Sequence, residues 1–247
     1  MKGRGRLIVA FLFMTVGGLF MAGWSITWLV RESYLTATIM LALGTTFLSF
    51  AIYAAYVIWG TPQPRTESCS AGTIIRPHSF VDIVAGGGFI SGTSAAALYL
   101  VFAPLGMVDY VPTGVLRVTV PAFCIFMLFF GVPIVFRMVT HGESHLRLDP
   151  AGWEVWNGQW GIFKQGTWDE VEQILDHPVR GRKFGREVIV FVMPKGRNAM
   201  LVSDAITENS RALREWVRFY WQHPEYRGEL TDGRALHRLA NEKFTAE

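Results

Sequence analysis

The densest cluster of groups able to do chemistry is a run of cations, Arg180-Gly181-Arg182-Lys183-Phe184-Gly185-Arg186. Cations spaced by glycine around one aromatic ring make a loop suited to meeting anions. Near an anionic leaflet each such charge contributes about 1 kcal/mol, and Phe184 can dip into the interface. Arg180, Arg182, Lys183, Phe184 and Arg186 are therefore the candidate lipid- or partner-binding residues. The competing reading is a solvated loop balanced by nearby acids, since the cluster reaches only the low end of polybasic lipid-binding segments.

A second cluster is His141-Gly142-Glu143-Ser144-His145. Two imidazoles and a carboxylate are metal-ligand types, but a glycine interrupts them and no helical pattern aligns the two histidines. A zinc site needs three or four ligands with a fixed outer shell. A polar linker is the expected role, and the metal expectation is none. No Ser-His-Asp order, nucleophile elbow, P-loop or His-Glu-x-x-His is present. Gly86-Gly87-Gly88 lies in an apolar run, not between a strand and a helix, so it is not a phosphate cradle. No catalytic residue and no cofactor is expected, and the chain reads as a non-enzyme.

The elements that must position these groups divide the chain in two. Residues 7–30, 35–60, 83–107 and 118–136 are long uncharged runs, each about the 20 residues needed to cross a bilayer. Backbone groups in lipid must be paired internally, so each run should be a helix. The first 140 residues are expected to form a four-helix transmembrane domain. Met1 to Arg137 carries eight Lys or Arg against four acids, while the remainder carries fifteen against sixteen. The basic excess thus orients the membrane half and is not a nucleic-acid footprint. With the N-terminus inside, Lys2, Arg4, Arg6, Arg65, Arg76 and Arg137 fall on the cytoplasmic side, and only Arg31 and Arg117 on the other. The positive-inside rule then places both termini in the cytoplasm and the protein in the inner (plasma) membrane.

Within the third run, Gly87, Gly88, Ser91 and Gly92 have small-xxx-small spacing and are the helix-packing candidates. They serve this protein's own bundle or the transmembrane helix of a partner. Pro121 and Pro133 in the fourth run are structural. Cys69 and Cys124 have no paired spacing and read as free thiols.

From His145 onward short alternating runs replace the long apolar ones. Strands are expected at Leu146–Asp149, Trp153–Trp156, Trp160–Lys164, Val171–Leu175, Val188–Met193 and Ala199–Val202, with Asn157-Gly158 as a hairpin signal. One amphipathic helix follows between Ile206 and Trp221, capped by Asp204 or Thr207 and limited by Pro224. The domain is expected over 141–224, with 225–247 as a polar tail.

The segments Leu146-Arg147-Leu148-Asp149-Pro150-Ala151-Gly152-Trp153 and Thr167-Trp168-Asp169-Glu170-Val171, followed by a terminal helix, resemble a bacterial PH-like domain appended to membrane helices. The closing His223-Pro224-Glu225-Tyr226-Arg227-Gly228-Glu229-Leu230 is similar to the tails of small actinobacterial membrane proteins of this build. The resemblance implies an antiparallel sheet or barrel capped by a C-terminal helix, an α+β cytoplasmic module that binds and does not catalyse. The function it points to is an accessory or scaffold membrane protein binding a protein partner or anionic headgroups, as a subunit of a larger complex or a homo-oligomer, with membrane lipids and no nucleic acid as partners. A small oligomeric transporter or channel, and a membrane enzyme acting on lipid-linked substrates, are the alternatives from other classes.

Overall fold

The computed structural model describes residues 2–110, 112–178 and 186–245. They form two units. One is helical, Gly5–Ile58 with Ile83–Thr140; the other holds the sheets, Trp59–Asp82 with His141–Glu247 and the first four residues.

Four helices make the first unit: α1 (Lys2–Val30), α2 (Tyr34–Trp59), α3 (Ser79–Phe102) and α4 (Leu116–His141). All four are long and apolar enough to cross a membrane, and at about 1.5 Å per residue the shortest exceeds a hydrocarbon core of roughly 30 Å. Large apolar side chains on α1 and α4, such as Val16, Phe20, Val118 and Phe129, are exposed. In water such a surface would be untenable; in lipid it costs nothing.

Small residues set the helix spacing. A methyl placed on Gly44 of α2 would lie 3.1 Å from the backbone nitrogen of Ala22 and the carbonyl oxygen of Gly18 in α1. Ser25 Oγ of α1 donates to Ala37 O of α2 at 2.9 Å. At the turn end of the bundle Asp109 accepts from Ser33 Oγ, and its backbone N–H donates to Thr36 Oγ1 at 3.0 Å. Pro121 and Pro133 are accommodated inside α4. The fourth helix begins at Leu116, so Arg117 sits in its first turn, where its head can reach the interface.

The sheet unit contains all six expected strands: β3 (His145–Leu148), β4 (Gly152–Asn157), β5 (Ile162–Thr167), β6 (Gln173–Leu175), β7 (Val188–Val192) and β8 (Ala199–Val202). It also contains a hairpin where the sequence pattern suggests only a connection between the second and third spans, β1 (Arg65–Cys69) and β2 (Gly72–Arg76). The order is β1-β2-β3-β4-β5 in one antiparallel sheet and β6-β7-β8 in the other. β2 pairs with β3 in the register Thr73 to Leu148, Ile74 to Arg147 and Ile75 to Leu146. The hairpin follows two spans and β3 follows four, so an even number of crossings separates them and the two can pair on one side of a membrane. Gly72, at φ +131°, permits this join, because a Cβ there would lie 2.5 Å from Leu148 O.

The core lies between the sheets and α5 (Ser210–Gln222). Ile75, Leu146, Leu148, Trp153, Trp168, Phe191 and Trp216 belong to one buried cluster. Leu213, Trp216, Val217 and Tyr220 recur at three- and four-residue steps and form the buried face of α5. The helix starts later than expected. Its cap is Asn209, whose side chain accepts from Ala212 N at 2.9 Å, whereas Asp204 and Thr207 lie upstream.

Residues 225–247, expected as a tail, carry a 3₁₀ segment (Pro224–Thr231) and α6 (Arg234–Ala240). Leu230 and Ala235 are buried. Leu230 O accepts from Thr73 Oγ1 at 2.7 Å and Ala235 O from Trp216 Nε1 at 2.8 Å. Arg238 forks onto Glu229 with two 2.9 Å hydrogen bonds while lying 4.3 Å from the centre of the Phe219 ring.

Candidate functional site

Arg186, the last cation of the basic run, lines a cleft of about 330 Å³ in the sheet unit. Asp176 and His177 follow β6, Arg186 and Glu187 precede β7, Ser203 follows β8, and Ser210, Arg211 and Arg214 come from the first turns of α5. Four elements far apart in sequence thus supply one polar concavity. Arg180, Arg182, Lys183 and Phe184 lie outside the described residues. The described chain runs to Pro178 and resumes at Arg186, and His177 and Arg186 both line the cleft.

Much of the charge in the cleft is internally satisfied. Arg186 Nε donates to both carboxylate oxygens of Asp204, at 3.0 and 2.9 Å, and its Nη2 to Oδ1 at 2.7 Å. Its side chain is only 8% exposed, so Arg186 is anchored to the domain. Asp176 is held by His177 Nδ1 at 2.6 Å and by Arg214 Nη1 at 3.3 Å. The histidine hydrogen bond, reinforced by the Arg214 charge, keeps the Asp176 carboxyl below its ordinary value. Arg214 also reaches Glu215.

Three side chains of the cleft are left over among the described residues, the first being the exposed carboxylate of Glu187. Arg211 is exposed and has no partner among the described residues. Ser203 is 1% exposed and its Oγ is buried with no hydrogen-bond partner among the described residues. A buried hydroxyl without a partner forfeits free energy, about 1–3 kcal/mol for a group of this kind. Arg211 and the Ser203 hydroxyl are complementary to an oxyanion, and the Glu187 carboxylate in the same lining opposes one. Among the described residues of the cleft no nucleophile is hydrogen-bonded to an oriented base.

The residues of the His141–His145 segment go to separate tasks. His141 ends α4 and stacks on Trp156 at 4.9 Å and near Phe163 at 4.4 Å. Glu143 is bound by Arg65 at 2.6 Å and Arg76 at 3.4 Å, which ties the hairpin to the start of β3. Those arginines, Arg65 foremost, hold its carboxyl below the usual range. His145 Nε2 meets Glu154 at 2.7 Å across β3 and β4. Ser144 donates its N–H and its Oγ–H to Asp82, at 2.8 and 2.7 Å, and its Oγ accepts from Gly158 N at 2.9 Å.

The helix-packing candidates divide by face. A methyl on Gly88 would lie 3.1 Å from Ser49 Cβ, and one on Gly92 3.1 Å from Thr46. Ser91 Oγ donates to Ala42 O at 2.8 Å. These three therefore pack α3 on α2. Gly87 has nothing within 4 Å of its position and faces away. Sequence reasoning misses the tighter approach, Gly18 and Ala22 of α1 against Gly44 of α2, although Gly18 and Ala22 have the same small-xxx-small spacing. Cys69 is exposed and Cys124 buried, both as free thiols.

No family model, curated protein or solved structure matches this chain.

Proposed function

We propose that the chain is a non-catalytic accessory protein of the plasma membrane, with both termini cytoplasmic, whose helix-and-sheet domain is PH-like and binds the anionic headgroups of lipids. Two antiparallel sheets followed by an amphipathic helix support the PH-like reading. The observation that carries the binding reading is the cleft lined by Arg186, where Arg211 and the Ser203 hydroxyl have no partner among the described residues. Arg180, Arg182 and Lys183, outside the described residues, carry three further cations in the sequence that leads to Arg186, and Arg186 serves as the anchor.

The test uses the full chain in neutral detergent and follows the urea midpoint of the sheet domain by tryptophan fluorescence. A ligand that binds only the folded state at about a hundred times its Kd stabilises by about 2.7 kcal/mol. Short-chain phosphatidylglycerol should raise the midpoint and short-chain phosphatidylcholine should not. Replacing Arg180, Arg182, Lys183 and Arg211 together with glutamine should remove the difference. Equal effects of the two lipids on the unsubstituted protein refute the headgroup reading and leave an acidic protein partner as the occupant of the cleft.

A further inference from the structure

The four helices line an open cavity of about 430 Å³, within the range of sites that take small molecules. Every helix contributes to its wall. The lining spans Met14 to Trp24 on α1, Ile39 to Phe50 on α2, Gly92 to Tyr99 on α3 and Leu116 to Met127 on α4, with Tyr110 from the α3–α4 connection. Among the described residues no Asp, Glu, Lys, Arg or His lines it. The hydroxyl of Thr46 is already committed to Ala42 O at 2.9 Å. The cavity therefore offers no charge to a polar ligand.

Its length and position narrow the occupant further. Its limits span eleven residues of α1 and twelve of α4, which at about 1.5 Å per residue is roughly 15 Å. That is half of a hydrocarbon core of about 30 Å, the depth of one leaflet. It begins near mid-helix and ends where α1 turns into α2 and α3 into α4. At that end stand Trp24, Tyr99 and Tyr110, with Trp24 and Tyr110 edge to face at 5.5 Å. Amphipathic rings of this kind settle at headgroup level. The small side chains of Gly92, Ala95 and Ala96 make room, and Met14, Met21, Met40 and Met127 provide walls that adapt to an irregular chain.

We infer that this cavity holds one acyl chain of a phospholipid from the leaflet at the turn end of the bundle, with the headgroup outside at the aromatic rim. The site is separate from the cleft in the sheet unit and does not depend on it.

The full chain is reconstituted in phosphatidylcholine vesicles with a phospholipid carrying a photoactivatable diazirine midway along one acyl chain, and adducts are mapped by peptide mass spectrometry. Adducts should fall on the inward residues Met40, Ala96 and Cys124 as well as on the lipid-exposed Val16 and Phe129. Ala96→Trp should reduce the inward adducts about tenfold and leave those at Phe129 unchanged. A second measurement leaves the bundle unfilled. In Cys69→Ser protein, stripped of lipid in detergent, an apolar maleimide should alkylate Cys124, and added phosphatidylcholine at about ten times its Kd should slow the reaction about tenfold. Absence of inward adducts, inward adducts indifferent to Ala96→Trp, or a Cys124 that is unreactive without lipid or unprotected by it would each overturn the inference.

Discussion

Ile75→Ala is the perturbation that most sharply separates a connecting loop from a structural hairpin. If residues 61–82 merely joined two spans, an alanine there would change stability by no more than about 0.5 kcal/mol. In the structure Ile75 is fully buried, opposite Leu146 in the β2–β3 ladder and within the main core cluster. Ile→Ala at such a site costs about 2–5 kcal/mol, and the ring and branched neighbours Leu146, Leu148 and Trp153 leave little freedom to collapse into the space. A value near 3 kcal/mol is expected. For a domain of this size the urea dependence is about 1–3 kcal/mol per molar, so the midpoint should fall by about 1–3 M. The assay is urea titration of the full chain in detergent, read by tryptophan fluorescence, because urea attacks the water-exposed domain and the micelle preserves the helices. Ser68→Ala on the exposed strand β1 is the control and should stay near zero. An isolated 141–247 fragment would show the same dependence. It lacks β2 and leaves β3 as an unpaired edge above an open core, so it should aggregate, and a fusion restoring residues 61–78 should recover solubility. If Ile75→Ala matches Ser68→Ala, the hairpin is not part of the fold and the reasoning fails.

Asp204→Ala removes the carboxylate that holds a largely buried guanidinium and should lower stability by about 3 kcal/mol; Arg186→Leu combined with Asp204→Leu, measured by the same titration, should recover much of the loss. Glu229 is held below its ordinary value of 4.5, chiefly by the hydrogen bond from Arg238, so its contribution is complete above that pH and lost as the pH falls through the lower folded value. Glu229→Gln should therefore destabilise at pH 7 and flatten the acid limb of the stability profile, and an unchanged acid limb would refute that origin. Gly44→Leu meets backbone of α1 that cannot give way, while Gly87→Leu meets nothing. The first should lower the thermal midpoint in detergent by an overpacking cost of about 1–3 kcal/mol, the second should not, and equal effects would contradict the helix assignment of these faces.

The membrane half is legible in the sequence because its physics is one-dimensional. Lipid cannot satisfy a backbone N–H or carbonyl, so a long uncharged run commits to a helix whatever its neighbours are, and the helices differ from the expected limits only in their end turns. The six later strands are legible for a related reason: Trp153-Glu154-Val155-Trp156 and Val188–Val192 carry their burial in their own pattern, and Asn157-Gly158 marks its turn. Tertiary structure decided the rest. Arg65–Cys69 is polar along both faces and Gly72–Arg76 has only two apolar residues, so nothing local distinguishes that hairpin from a loop; β3 makes it a strand by offering a paired edge and a buried slot for Ile75. The tail is unreadable likewise, since Leu230 and Ala235 gain a core only against α5 and β2. At the cleft the sequence supplied the cations, but whether each is free or spent depends on carboxylates far along the chain. Asp204 takes Arg186 and Asp176 takes Arg214, while Arg211 is left without a partner among the described residues, because electrostatic pairing is set by distance in space, and only folding brings residues 176, 186, 204 and 211 to one place.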